Sequence, residues 1–140
     1  MRDDEGSTLL LTIFYGFLSL VLVLLVVAAS SLYLERKRLF TLADGAALVG
    51  AEAFDLSDVT VTPSGPRVQL QNADVAAAVG AYVASTPSDF ESLRIDRALT
   101  VDGRSATVQL SAYWRPPIVS LLVPEGIPIE VTAVARSVFG

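Results

Sequence analysis

Leu9–Ala29 reads LLLTIFYGFLSLVLVLLVVAA, and it lies inside a longer stretch, Gly6 to Leu34, that holds no charged residue. As an α-helix the quoted segment would extend roughly 31 Å at about 1.5 Å per residue. That length matches the hydrocarbon core of a bilayer, about 30 Å. The polar interruptions are mild. Thr12 and Ser19 can return their hydroxyls to carbonyls one turn back, and Gly16 permits close approach of a second helix. A buried core helix fits less well, because only 86 residues follow Phe54, too few to enclose a helix that is apolar on every side. A cleaved secretory signal also fits less well. Its apolar region is shorter and follows a basic leader, whereas MRDDEG sets one Arg against Asp3, Asp4 and Glu5.

Beyond the apolar run the helical pattern continues. Leu32 to Phe54 reads LYLERKRLFTLADGAALVGAEAF, without proline and rich in good helix formers. Phe40, Ala43, Ala47, Gly50 and Phe54 recur at steps of three and four and so share a face. Most are small, which suits close packing on the chain's own sheet or on other subunits. Asp44 and Glu52 are expected on the wet side. One helix from about residue 8 to residue 54 is expected, with a bend allowed at Gly45 or where it leaves the lipid.

From Val59 the period changes to two. Val59 and Val61 alternate with threonines. Pro63-Ser64-Gly65-Pro66 is a turn cluster, and Val68 and Leu70 follow. A four-residue loop would set Val61 opposite Val68 and Val59 opposite Leu70. Asn72 or Asp74 can cap a helix that runs to Pro87 with Val75, Val79, Tyr82 and Val83 as its apolar stripe. Gly80 inside it is read as a point of close packing. Asp102-Gly103 between two alternating runs is a type I′ hairpin signature. A two-residue loop there would pair Leu99 with Ala106, Ile95 with Leu110 and Leu93 with Ala112. Arg97 breaks the alternation, by a bulge or by reaching the sheet edge. IVSLLVPEG suits a short helical turn, and Ile127, Ile129, Val131, Ala133 and Ala135 form a last strand. The expected fold is α+β: residues 1–7 a charged leader, residues 8–54 a transmembrane and extended helix, residues 55–140 a small antiparallel sheet packed on helices.

The composition excludes much chemistry. The chain has 140 residues, no Cys and no His, and a net charge of −5 from ten basic and fifteen acidic residues. Disulfides, Cys/His metal sites, thiol nucleophiles and imidazole-dependent triads are out, and the charge disfavours nucleic acid. Lys37, the single lysine, sits at the membrane boundary, where a snorkelling role suits it better than a Ser-Lys dyad. Asp55/Asp58 and Asp89/Glu91 lie beside turn residues and read as caps and turns. A non-enzyme is expected, with no catalytic residue, cofactor, metal or small-molecule substrate.

The layout resembles the TadE/TadG-like proteins of Flp (tight adherence, type IVc) pilus machineries. The resemblance rests on the leader ending in Glu5-Gly6-Ser7, the apolar helix, the basic step Arg36-Lys37-Arg38, the stretch Ala43-Asp44-Gly45-Ala46-Ala47-Leu48-Val49-Gly50-Ala51, and the closing VTAVARSVF. It implies a processing junction between Gly6 and Ser7, the arrangement of type IV prepilins. Most of those carry Glu five residues after the cut, and Leu11 stands there. In a filament that Glu would offset a neighbour's new N-terminal charge in lipid-like surroundings. Its absence points to a minor or accessory component and leaves cleavage open.

The resemblance also bears on orientation. The basic step alone would keep the C-terminal part in the cytoplasm. Family members carry the same step and place that part outside, so a single-pass inner-membrane protein with an extracytoplasmic domain is expected. Its partners would be membrane lipid and other pilin-like or Tad assembly proteins. Thr12, Tyr15, Gly16 and Ser19, with Phe40, Ala43, Ala47, Gly50 and Phe54, form the candidate helix-packing face. Two other readings remain open here: a single-span envelope binding module unrelated to pili, and a membrane-bound hydrolase using carboxylates.

Overall fold

The computed structural model describes residues 2–138. Met1, at the start of the leader, and Phe139 and Gly140, at the end of the last domain, lie outside the described residues. Helix α1 spans Arg2–Ala51. Then come a 3₁₀ turn (Leu56–Asp58), strands β1 (Val59–Thr62) and β2 (Gly65–Val68), and helix α2 (Asn72–Ser85). Strands β3 (Glu91–Leu99) and β4 (Ser105–Trp114), the short helix α3 (Pro117–Leu122) and strand β5 (Ile127–Arg136) complete the chain. The fold is α+β, and its elements follow the expected order of long helix, hairpin, helix, hairpin, short helix and strand. The chain divides into two compact units, Met1–Leu34 and Glu35–Gly140.

In the first unit every described residue is a turn of α1. The apolar run passes through it with no side chain fully buried, and it is long and apolar enough to cross a membrane, with a mean hydropathy of 2.8.

The second unit, the head, contains a three-stranded antiparallel sheet in the order β3-β4-β5 and a separate two-stranded β1-β2 hairpin. Strict alternation in β4 puts Ala106, Val108, Leu110, Ala112 and Trp114 on one buried face. In β5 the same face carries Ile129, Val131, Ala133 and Ala135, in unbroken register with β4 from Ser105↔Arg136 to Trp114↔Ile127. The helical side of the core is supplied by α1 through Leu39, Leu42, Ala43, Ala46, Ala47, Gly50 and Ala51, and by α2 through Val75 and Val79.

Several expectations are corrected. Helix α1 ends at Ala51, so Phe54 follows the helix rather than closing its face. The helix runs through Gly45, whose missing side chain leaves room for the Tyr82 ring. The β1–β2 hairpin turns on two residues, with Thr62↔Gly65 closing it and Val59↔Val68 paired. Gly65 takes φ +115, and the Thr62 hydroxyl donates to its carbonyl at 2.7 Å, which tightens the turn beyond the four-residue loop expected. Val61 then pairs with Pro66 and is 87% exposed. Helix α2 begins without a side-chain cap; Asn72 Oδ1 accepts from the Thr100 amide at 2.8 Å instead, tying α2 to the β3–β4 loop.

Gly80 was expected to mark close packing, yet a Cβ built there meets nothing within 4 Å. Its cost is therefore purely conformational. Replacement Gly80→Ala should raise head stability by about 1 kcal/mol, the usual helix-interior difference. Thermal melts of the two proteins test this, and a lower melting temperature for the variant would contradict it.

The β3–β4 connection is not a two-residue type I′ turn. Gly103 has φ +70, but Asp102 is not in the positive-φ region. The Asp102 carboxylate instead accepts from the amides of Arg104 (2.9 Å) and Ser105 (2.7 Å) and from the Ser105 hydroxyl (2.8 Å). Leu99 therefore pairs with Thr107 rather than Ala106. A bulge between Ile95 and Arg97 restores the expected Ile95↔Leu110 pair and places Ala98 opposite Val108. The break in alternation at Arg97 is that bulge, which bends the edge strand.

These hydrogen bonds, that from the Arg104 amide foremost, hold the Asp102 carboxyl at about 2 against an ordinary 3.8. A depressed carboxylate stabilises the fold above the ordinary range and ceases to do so as pH falls through its folded value. The melting temperatures of wild type and Asp102→Ala should differ at neutral pH. They should converge as pH drops from about 3.8 to about 2. A gap independent of pH would show that the carboxylate form is not what the loop uses.

Candidate membrane and assembly helix

The apolar half of α1 satisfies three of its hydroxyls on its own backbone. The Thr8 hydroxyl donates to the Asp4 carbonyl, Thr12 to the Thr8 carbonyl and Ser19 to the Tyr15 carbonyl, each at 2.8 Å. Each hydroxyl needs no water, which suits the hydrocarbon layer, where an unmatched polar group is costly. Thr12, Tyr15, Gly16 and Ser19 stand at i, i+3, i+4 and i+7, so they share one face of α1. A Cβ at Gly16 would meet nothing within 4 Å, leaving a shallow notch flanked by Thr12 and Ser19. Tyr15 meets Phe14 edge-on, with ring centroids 5.8 Å apart. Gly6 and Ser7, the candidate processing junction, lie inside the first turns of α1, and Gly6 is likewise open.

The remaining candidates lie on the part of α1 that belongs to the head. Ala43, Ala47 and Gly50 are buried in the head's own core. A Cβ on Gly50 would stand 3.1 Å from Ala106 Cβ in β4 and 3.2 and 3.3 Å from Val79 and Val75 in α2. Phe40 sits at the rim of the buried arc and is 47% exposed. Phe54 is half-buried beyond the helix end. Leu39, Leu42 and Ala46 complete the buried seam. They repeat the three-and-four spacing of Phe40, Ala43 and Ala47 one residue earlier, so the buried face is centred one residue towards the N-terminus of the face read from the sequence.

Arg38 of the basic step, itself part of the head, reaches both its own helix and the residues just before β3. The Arg38 guanidinium is 3.5 Å from Glu35 and 3.8 Å from Asp89, and lies 5.8 Å from the Phe90 ring centroid. These pairs are exposed, and such contacts contribute on the order of 1 kcal/mol or less. Beside Arg38 a cleft of about 310 Å³ is lined by Thr41, Leu42, Tyr82, Thr86 and Phe90 among others. Among the described residues no three His, Cys, Asp or Glu side chains form a group able to hold a metal ion.

Residues 6–53 match the Tad family model, described as "Putative Flp pilus-assembly TadE/G-like". This segment belongs to the TadE/G-like family. The TadE/G-like segment takes in the apolar run, the basic step and the small-residue seam, whereas residues 127–139 lie outside the match. Its description ties it to Flp pilus assembly, and its apolar helix fits membrane anchoring. No curated protein and no solved structure matches the chain.

Proposed function

We propose that the chain is a minor or accessory pilin-like component of a type IVc (Flp/Tad) pilus or a related secretion assembly. It is anchored in the inner membrane by α1, with its head outside the cytoplasm. The observation that carries this reading is the coincidence of the TadE/G-like match with an apolar helix in which Thr8, Thr12 and Ser19 turn their hydroxyls back onto its own backbone. The helix works by packing. Thr12, Tyr15, Gly16 and Ser19 form the face that meets other pilin-like helices, with Gly16 setting how closely two backbones approach. Leu11 in place of Glu supports a component that does not offset a neighbour's N-terminal charge along a filament. The head contributes a surface for protein partners, and the reading assigns it no substrate, nucleic acid or cofactor.

Replacement Gly16→Ile fills the notch while keeping the segment apolar. The variant should remain in the membrane fraction at wild-type level, while the pilin-like proteins recovered with it after cross-linking and mild detergent extraction fall several-fold. Equal recovery from wild type, Gly16→Ile and a chain with Leu9–Ala29 scrambled at constant hydrophobicity would show that α1 is a passive anchor. A periplasm-dependent phosphatase fused after Gly140 should be active, and the mass of the native N-terminus decides between Met1 and Ser7.

A further inference from the structure

The sequence holds two Asp-Gly pairs, Asp44-Gly45 and Asp102-Gly103. This dipeptide is prone to a spontaneous backbone rearrangement, because a following glycine leaves its amide nitrogen unscreened. That nitrogen attacks Cγ of the aspartyl side chain, a C–N bond forms and water leaves. The cyclic imide then takes up water at either carbonyl. It opens to aspartate or to isoaspartate, whose backbone runs through the side-chain carbon. The two pairs stand in different settings. Asp44-Gly45 lies inside α1, where the regular helix fixes the peptide. Asp102-Gly103 lies in the loop between β3 and β4, with Asp102 exposed to water.

The loop depends on both of its residues. Gly103 has φ +70, and a Cβ there would stand 2.5 Å from Gln69 Nε2. Asp102 supplies the carboxylate that accepts from the amides of Arg104 and Ser105 and from the Ser105 hydroxyl. The fold therefore calls for a chemically weak pair at this place, and it restrains both reacting groups. The Gly103 amide donates to Thr100 Oγ1 at 3.0 Å, and the Gly103 carbonyl accepts from the Leu70 amide at 2.8 Å. Thr100 is itself held, its amide donating to Asn72 Oδ1 of α2 at 2.8 Å. The nitrogen that must turn toward Cγ and lose its proton is thus tied to Thr100. The contacts on the carboxylate, that from the Arg104 amide foremost, hold it at about 2, so the protonated form that sheds water readily is scarce.

We propose that Asp102-Gly103 is a site of spontaneous isoaspartate formation that the folded head keeps closed, with Thr100 as the latch on the nucleophilic nitrogen and Ser105 as a latch on the carboxylate. Isoaspartate at position 102 inserts a methylene into the backbone and moves the carboxylate away from the Arg104 and Ser105 amides, which loosens the β3–β4 connection. This chemistry belongs to the head alone and is independent of what α1 does.

Full-length wild type, Thr100→Val, Thr100→Ser and Ser105→Ala are aged in detergent micelles at neutral pH in heavy-oxygen water. Fragmentation mass spectrometry then measures isoaspartate and incorporated heavy oxygen at positions 102 and 44. Thr100→Val and Ser105→Ala should accumulate both at position 102 several-fold faster than wild type. Thr100→Ser, which keeps the acceptor oxygen, should age at the wild-type rate. Position 44 should stay unmodified throughout, which separates opening of the loop from unfolding of the head. Wild type should age at position 102 many-fold more slowly than a synthetic peptide of residues 98–107. A wild-type rate equal to that of the peptide would overturn the proposal. So would a Thr100→Val rate equal to wild type, and so would equal acceleration at positions 44 and 102, which would trace the effect to general unfolding.

Discussion

Replacement Gly50→Leu is expected to unfold or severely loosen the head. Gly50 is enclosed on three sides: Ala106 Cβ at 3.1 Å from the position a Cβ would take, Val79 Cγ2 at 3.2 Å and Val75 Cγ1 at 3.3 Å. Ala106 cannot rotate out of the way, and the two valines are fully buried and stiff about their first torsion. A leucine must therefore separate α1 from both α2 and β4, at a cost of about 3 kcal/mol, the upper end of overpacking. At roughly 4–8 °C per kcal/mol for a domain of this size, the melting transition should fall by more than 10 °C, about the product of those two figures. Gly80→Ala supplies the internal comparison. Both glycines are helical and both carry the same conformational cost, but Gly80 has open space around it. A Gly50→Leu protein that melts like wild type, with α1 still protected from hydrogen exchange at Ala46 and Ala47, would show that the small-residue seam is not what sets the helix-to-sheet distance. The effect is expected in the purified protein without any partner, which separates it from a role for Gly50 in assembly.

The period of the hydrophobic pattern made most of the fold legible. A 21-residue apolar run, a helical continuation and five two-period segments leave few alternatives to a long helix followed by a sheet packed on helices. Registers were less legible, because a turn is decided by side-chain hydrogen bonds as well as by backbone preference. Asp102-Gly103 has the composition of a two-residue turn. Yet the Asp102 carboxylate has two amides and a hydroxyl within reach, and that local network outcompetes the backbone geometry the dipeptide favours. The same competition moved Asn72 from a capping role to the Thr100 amide. The glycines show a related limit. Nothing in the local sequence distinguishes Gly50, enclosed by α2 and β4, from Gly80, which faces open space; only the approach of elements distant in sequence does so. The face of α1 was legible in its spacing but not in its phase, and α3 was readable as a helical turn but not as an exposed one.

Replacement Leu39→Ala should have the complementary effect, a cavity where Gly50→Leu makes a clash. The seam that α1 offers the head is built mainly from Ala43, Ala46, Ala47, Gly50 and Ala51, which bury little apolar area each. Leu39 and Leu42 are the large side chains on it, and Leu39 is fully buried. At about 25 cal/mol per Å² of buried apolar surface, a leucine contributes several times what an alanine does, so the first turns of α1 in the head depend on Leu39. Truncating a fully buried leucine costs about 2–5 kcal/mol. The alanines around it cannot lean in to fill the space, which favours the upper half of that range. The loss should also be local before it is global. The covering element is a helix held at this level by Leu39, Leu42 and the exposed Arg38 pairs, so amides of residues 36–42 should exchange faster than those of 46–50. Hydrogen exchange on full-length Leu39→Ala in detergent micelles reads this directly. Uniform acceleration throughout the head would mean that α1 and the sheet unfold as one unit. Unchanged exchange with an unchanged melting temperature would mean that Leu39 does not dock the helix.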